Sequence, residues 1–371
     1  MKVLHLFNEI KFSGAEIMYA NAASYFKEQG VDMLAFNTGA ELGDFVPEFE
    51  QNGIKVFHFP LTKRISFSFK FFKDYLNFFN FLKKEKIEVL HIHRSDLFLV
   101  AFIARFAHVS SIKTMHNVFK NRKTTYLYGY LKRLIARKIS KVCFHTIGES
   151  VYENELNYYK NPSIRINNWY DPNRFFPQVS DNEKLAVRER LGIEPEAFVV
   201  SSVGGCSHVK NHCDIIRAMQ ILNQKAEGFL YLHLGKGSTE KDEQELARSF
   251  GLSDKICFVG NRHNVRDYLI ASDVYLMPSK FEGLSISSLE AMACGLPSVL
   301  YNSVGLRDLI TDDNNGFLID HDYEVMADKV LFLREHPSLA EKMAQQALIF
   351  VNSEFSISKS VNLLVDLYKH N

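Results

Sequence analysis

The chain has 371 residues, 46% of them apolar and 23% charged, with a formal net charge of +1. That balance excludes a disordered or fibrous chain, and the length exceeds one ordinary core, so two domains of roughly 150–200 residues are expected. No run of 18 apolar residues occurs, which speaks against a membrane-spanning helix. The opening "MKVLHLFNEI" reads as a strand rather than a signal peptide, and a cytoplasmic chain is expected. The five cysteines are scattered and never in a CxxC pair, indicating neither a disulfide framework nor a zinc site. Net charge conceals an asymmetry. Residues 1–170 carry 24 Lys+Arg against 15 Asp+Glu (+9), residues 171–371 carry 20 against 28 (−8), and no acidic residue lies between Asp96 and Glu149. The first half is therefore expected to meet something anionic, such as membrane phosphate or a pyrophosphate-linked substrate.

In chain order, "VLHLF", "DMLAF", "KVFHF", "VLHIH", "IKTMH" and "VCFHTI" predict strands in the first half. "FVVSSV", "LYLHLG", "KICFVG", "DVYLMP", "PSVLY" and "GFLI" predict strands in the second. Helical patterns alternate with them, which means parallel sheets covered on both faces, with ligands at the carboxyl ends of strands. "INNWYDPNRFFPQVSDNE" is rich in Asn, Pro and Asp and reads as a linker. The final pattern "SKSVNLLVDLYKH" is free to pack on either domain. No repeat of 20–50 residues is present.

Several loops carry candidate chemistry. Gly14, where "KFSGAE" enters a helix, allows close approach of a phosphate, although a simple turn needs the same residue. "TMHN" places His116 at a strand end, where a satisfied structural histidine is the competing reading. "SVGGCSHVKNH" has Gly204 and Gly205 for a tight turn and Lys210 to reach back over it, either toward a diphosphate or into solvent; it is not a Walker loop. "KFEGLSISSLEAMACGLP" puts Glu282 on a loop and Glu290 in the first turns of a helix expected near Ser287–Cys294. Ser287-x-x-Glu290 also fits a capping box, which would make Glu290 structural. "DHD", Asp320–Asp322, resembles a metal-binding pair only on paper. Two amphipathic patterns, "RISFSFKFFKDYLNFFNFLKK" and "TTYLYGYLKRLIARKISK", mix apolar stripes with Lys and Arg, as core helices with basic faces or membrane-surface helices do. No nucleic-acid-binding signature accompanies the basic residues.

Together these pieces resemble family 4 of the retaining glycosyltransferases. Glu282-x7-Glu290 followed by "AMACGLP" resembles the family's EGxG-x-x-x-LEAMA-x-G-x-P stretch, and "DVYLMPSKFEG" its strand leading to PSxxEG. "SGAE" is similar to its N-terminal glycine loop, "TMHN" to its first-domain histidine and "NNWYDPNRFFP" to its interdomain NGVDxxxFxP. "NNGFLI" and "EFS" extend the likeness over nearly the whole chain. The resemblance implies a GT-B fold, two Rossmann-like domains facing a cleft. Residues 1–170 would bind the acceptor and 171–371 a nucleotide-sugar, the final helix being free to return to the first domain. It implies transfer of a hexosyl group, with retention, from a nucleoside-diphosphate sugar (UDP-sugar favoured) to an acceptor hydroxyl in surface polysaccharide or glycolipid assembly. The acceptor would be a glycan or lipid-linked saccharide. No cofactor, no metal and no nucleic acid are expected, and the chain would lie in the cytoplasm, peripheral to an anionic inner membrane face.

By the same resemblance, Glu290 binds ribose hydroxyls, Glu282 the donor sugar, and the amides of Leu284 and Ser285 the diphosphate. Gly14 would close on that diphosphate from the other domain, His116 would contact the sugar near the reacting carbon, Lys210 would stabilise departing charge, and Arg262 would lie near the base. His116, Lys210 and Glu282 are the catalytic candidates. The chain departs from the pattern at Gly205, where the family has arginine, with His208 nearby, and at Ser285, where the family has glycine. A nucleotide-sugar epimerase of the same fold, or a donor-binding partner protein with weak catalysis, are the alternative readings.

Overall fold

A computed structural model describes residues 1–11, 13–61, 68–94, 98–118, 123–311 and 313–371. The expectations that fall on Arg64–Phe67 of the phenylalanine-rich pattern, and on Asp96 and Leu97, lie outside the described residues. The chain divides into two compact units, Met1–Asn168 with Ile357–Asn371, and Trp169–Ser356. The expected break after residue 170 therefore falls two residues earlier, and the last helix, Ile357–His370, belongs to the first unit.

In the first unit, β1 (Lys2–Phe7), β2 (Asp32–Asn37), β3 (Lys55–His58), β4 (Val89–Ile92), β5 (Ser110–Met115), β6 (Cys143–Thr146) and β7 (Ile164–Arg165) form one sheet. Its order is β3-β2-β1-β4-β5-β6-β7 with every pairing parallel. The second unit contains β8 (Phe198–Val203), β9 (Phe229–Leu234), β10 (Ile256–Phe258), β11 (Val274–Met277), β12 (Ser298–Tyr301) and β13 (Phe317–Ile319). They run in the order β10-β9-β8-β11-β12-β13, again all parallel. Parallel strands covered on both faces are continuous apolar runs, which is why "VYLM" and "SVLY" are buried at every position. Both sheets reverse direction of growth beside their first strand, between β1 and β4 and between β8 and β11. Such a switch point opens a crevice at the carboxyl ends of the strands.

Two sequence expectations change meaning in the fold. Asp322 of "DHD" caps the helix Tyr323–Glu335, its carboxylate accepting from the amides of Glu324 (2.8 Å) and Val325 (3.3 Å). A capping role satisfies it without a cation. In the basic helix Lys123–Lys138, Arg133 is buried and donates twice to Glu155 at 2.7 Å while stacking 3.5 Å over the Tyr159 ring. Arg133 is thus part of the core. The expected apolar stripe is also rearranged: Leu127 and Leu131 face solvent together with Tyr128.

Candidate active site

Lys210 and Glu282 are 72 positions apart in sequence, yet the second sheet's switch point brings them into contact. Lys210 lies in the loop after β8 and Glu282 in the loop after β11, and Lys210 Nζ donates to Glu282 Oε1 at 2.6 Å. The pair is largely sheltered, with side-chain exposures of 23% and 14%. Ser279 Oγ donates to the same carboxylate oxygen at 2.7 Å. The Lys280 amide donates to the Val209 carbonyl at 2.8 Å, so the two loops are joined by backbone as well. Beneath them, the Glu282 amide donates to Val304 O at 3.0 Å. A Cβ on Gly305, whose φ is +79°, would sit 2.6 Å from Glu282 O. Glycine is required there because main chain packs directly on main chain. Ser279, Val304 and Gly305 escaped the sequence reading; only "SVG" after a strand hinted at the turn.

The loop of Glu282 feeds the helix Ile286–Ala293. Its N-cap is Ser285, whose hydroxyl accepts from the Ser288 amide at 3.4 Å. The capping-box reading of Ser287 and Glu290 is therefore replaced: Ser285 takes the capping role, and Glu290 sits more than a turn inside the helix. Among the described residues, the amides of Leu284 and Ser285 donate to no protein acceptor. Unpaired amides at a helix N-terminus form a site for an anion. Burial pushes the Glu290 carboxyl up to about 8; the Arg174 guanidinium lowers it in part, and Asp171 adds to the rise. Arg174 and Asp171 come from the segment read as linker, so that segment shapes the surroundings of Glu290. Sequence reasoning gave neither a role.

The remaining candidates are dispersed. Arg262 is exposed on the loop after β10, two strands away from β8. His208 is exposed on the Lys210 loop. A Cβ on Gly205 would lie 3.1 Å from the Lys236 carbonyl, so the turn is tight at the position where the resembled family pattern has arginine. Gly14 and His116 belong to the first unit. Gly14 opens the helix Gly14–Asn21. His116 follows β5 and ends a chain of imidazoles: His5 Nδ1 meets His93 Nε2 at 3.0 Å, and His93 Nδ1 meets His116 Nε2 at 3.2 Å. Burial, with the nearby Lys113 and His145 charges, brings His116 down to about 3, so it is a neutral imidazole near pH 7.

The two switch-point sheets define a GT-B glycosyltransferase fold, and solved structures share it over the full chain. Anabaena HepE, solved in complex with UDP, superposes with a TM-score of 0.86 at 18% identity, covering 100% of both chains. WaaG, a glycosyltransferase involved in lipopolysaccharide biosynthesis, gives 0.77 at 17% identity, again over 100% of both. Residues 183–349 match the family model of glycosyl transferases group 1. The matched segment lies within the second unit, which is thus similar to that group. Among relatives, the Escherichia coli UDP-Gal:alpha-D-GlcNAc-diphosphoundecaprenol alpha-1,3-galactosyltransferase is 25% identical over 86% of this chain and 85% of its own length. The lipopolysaccharide core biosynthesis mannosyltransferase LpsB of Rhizobium meliloti is 24% identical over 80% of this chain and 84% of its own.

Proposed function

We propose that the chain moves a hexosyl group, with retention of anomeric configuration, from a nucleoside-diphosphate sugar to an acceptor hydroxyl. UDP is the favoured nucleotide, and surface polysaccharide or glycolipid assembly the favoured setting. The observation that carries this reading is the Lys210–Glu282 contact at 2.6 Å beside the open amides of Leu284 and Ser285. A cation and a helix N-terminus converge there on one small volume at the carboxyl end of a Rossmann-like sheet. An arriving diphosphate competes with Glu282 for Lys210, and the released carboxylate is then free to accept from sugar hydroxyls. Glu290, one helical stretch further on, accepts from the ribose. The relatives that act on UDP-galactose and on lipopolysaccharide core support the choice of donor and setting.

In the transfer itself, the bond between the anomeric carbon and the β-phosphate oxygen breaks while the acceptor oxygen bonds the same face of that carbon. The acceptor proton passes to the leaving diphosphate. Charge gathers on that diphosphate, where a preorganised donor is worth about 2.7–4 kcal/mol. Lys210 and the helix amides supply it, so we propose no metal at the diphosphate and no cofactor beyond the donor. Neutral His116 in the first unit would hydrogen-bond the donor sugar, and Gly14 would let backbone approach the diphosphate. Glu282 and Glu290 are not a glycosidase pair, because such carboxylates flank one scissile bond whereas these hold two parts of one donor.

Nucleotide-sugars screened by thermal denaturation test the proposal. One of them at 100 times its dissociation constant should add about 2.7 kcal/mol of stability; a flat response across the uridine, guanosine and adenosine series would remove the reading.

The acceptor is proposed to be a lipid-linked saccharide met at an anionic membrane. No helix among the described residues is long and apolar enough to cross a membrane. Helix Phe69–Lys84 nevertheless exposes Phe69, Phe72 and Leu76, at 84%, 57% and 60%, beside Lys70 and Lys73. Helix Lys123–Lys138 exposes Leu127, Tyr128 and Leu131. Apolar side chains ringed by lysine suit the headgroup boundary of anionic lipid. The protein should float with anionic liposomes at low salt and detach as salt screens the attraction. Failure to float at either salt concentration would contradict membrane docking.

A further inference from the structure

Four side chains with metal-ligating atoms meet beneath the Lys210 loop. Cys206 opens that loop and His212 closes it, His233 stands on β9, and Glu243 on the helix Glu240–Ser249. All four are buried, and one ligand atom from each lies within 4.8 Å of the others. Cys206 Sγ is 3.1 Å from His233 Nε2, His212 Nδ1 is 3.7 Å from Glu243 Oε1, and His233 Nε2 is 3.8 Å from Glu243 Oε2. The last two separations are too long for hydrogen bonds. They come within a few tenths of an ångström of the edges of a ligand tetrahedron, about 3.3–3.6 Å for zinc bonded to nitrogen or oxygen at about 2.0–2.1 Å and to sulfur at about 2.3 Å.

A second observation points to a missing centre. Among the described residues, both ring nitrogens of His212 and Oε2 of Glu243 are buried without a hydrogen-bond partner. Buried polar atoms are rarely left so. The outer partners, by contrast, are in place. His233 Nδ1 is 3.0 Å from the Tyr231 hydroxyl, which is 2.6 Å from Ser202 Oγ. A proton on Nδ1 donated to that hydroxyl leaves the Nε2 lone pair aimed at the cluster. Thr239 Oγ1 donates to Glu243 Oε1 at 2.7 Å. Outer hydrogen bonds of this type orient metal ligands. The other histidine group, His5, His91 and His93, is already linked to itself and to His116, Tyr368 and Thr114.

We propose that Cys206, His212, His233 and Glu243 bind one zinc-class divalent cation in a closed, tetrahedral, structural site. One thiolate and one carboxylate balance its charge, leaving the buried centre neutral, and the sulfur and imidazole donors select against magnesium and calcium. The residues come from three separate elements with no CxxC spacing among them, which is why the sequence indicated no zinc site. A cation here ties both ends of the Cys206–His212 loop to β9 and so fixes the segment that presents Lys210. Cation binding itself does not depend on the reading of the chain as a hexosyltransferase.

Tag-free protein should retain about one zinc per chain by elemental analysis. Protein stripped with a chelator and titrated with Co²⁺ should develop a thiolate-to-cobalt charge-transfer band and the strong visible bands of tetrahedral cobalt, saturating at one equivalent. Cys206→Ser should lose the charge-transfer band, and His233→Ala should weaken cobalt binding at least tenfold. A wild-type cobalt spectrum that stays that of the hydrated ion overturns the proposal, as does an unchanged spectrum in Cys206→Ser. If either variant fails to fold, the wild-type titration decides alone.

Discussion

Lys210→Ala should lower turnover about 10²–10³-fold, the scale for removing one preorganised donor to developing charge. The size of the effect follows from the neighbourhood. The family pattern that the sequence resembles has an arginine where this chain has Gly205, and His208 is exposed on the loop. Lys210 is held against Glu282 at 2.6 Å, and the backbone link from Lys280 to Val209 keeps its loop beside the helix N-terminus. In the proposed pose Lys210 is the side-chain cation held against the leaving diphosphate, assisted by main-chain amides. Lys210→Arg should recover only part of the loss, because a planar guanidinium does not replace a compact ammonium in a site shaped for it. The donor's dissociation constant should change less than turnover, since charge on the diphosphate grows as the bond breaks. Single-turnover transfer assays check this; activity within a few-fold of wild type would move the cationic role elsewhere.

Glu290→Gln should weaken binding of the nucleoside diphosphate by roughly 1.5–3 kcal/mol, the scale of a hydrogen bond to a charged group, or about 10- to 150-fold. It should do so while leaving the fold intact or firmer. The sign comes from burial. The folded carboxyl titrates at about 8 against an ordinary 4.5, so the folded state binds the proton more tightly than the unfolded chain. Its contribution is fully present below pH 4.5 and is lost as pH rises through about 8. The variant has no proton to lose there, so its melting temperature should fall less than that of wild type between pH 5 and 8. Ribose hydroxyls donating to the carboxylate favour its ionised form. Wild-type affinity should accordingly rise from pH 6 to 8 with proton release, and that of Glu290→Gln should stay level. Calorimetric titration in buffers of different ionisation heat reads both quantities. A lower melting temperature with unchanged affinity would return Glu290 to a purely structural role.

Much of the architecture was legible because buried parallel strands are uninterrupted apolar runs. All twelve predicted strands occur, from "VLHLF" in β1 to "GFLI" in β13. Strand β7 was missed: Ile164–Arg165 has two residues, both exposed, and so offers no apolar run. The helix Ile357–His370 gave a clear amphipathic pattern, yet nothing in a pattern states which sheet it covers. The site was legible where chemistry is local in sequence, as in Glu282 and Glu290 on one loop and helix. Its other half depends on topology. Contact between Lys210 and Glu282 requires β8 and β11 to be neighbours, and Arg174 reaches the surroundings of Glu290 only because the linker folds with the second unit. The capping box failed for a different reason. Ser285 and Ser287 are equally good N-caps by residue type, and the turn from Gly283, set by its packing on Gly305, starts the helix at Ile286. The Cys206–His212–His233–Glu243 group is the extreme case, since sequence separation hides every one of its longer contacts.

On the proposed reading a nucleoside diphosphate sits at the carboxyl edge of the second sheet, between Lys210 and the helix Ile286–Ala293. A crystal structure of the protein soaked with whichever nucleoside diphosphate gives the largest thermal stabilisation tests it most directly. The diphosphate should lie within hydrogen-bond distance of Lys210 Nζ and the amides of Leu284 and Ser285, with ribose hydroxyls on Glu290 and the Lys210–Glu282 contact opened. A nucleotide bound away from Glu290, with Lys210 still paired to Glu282, would contradict it.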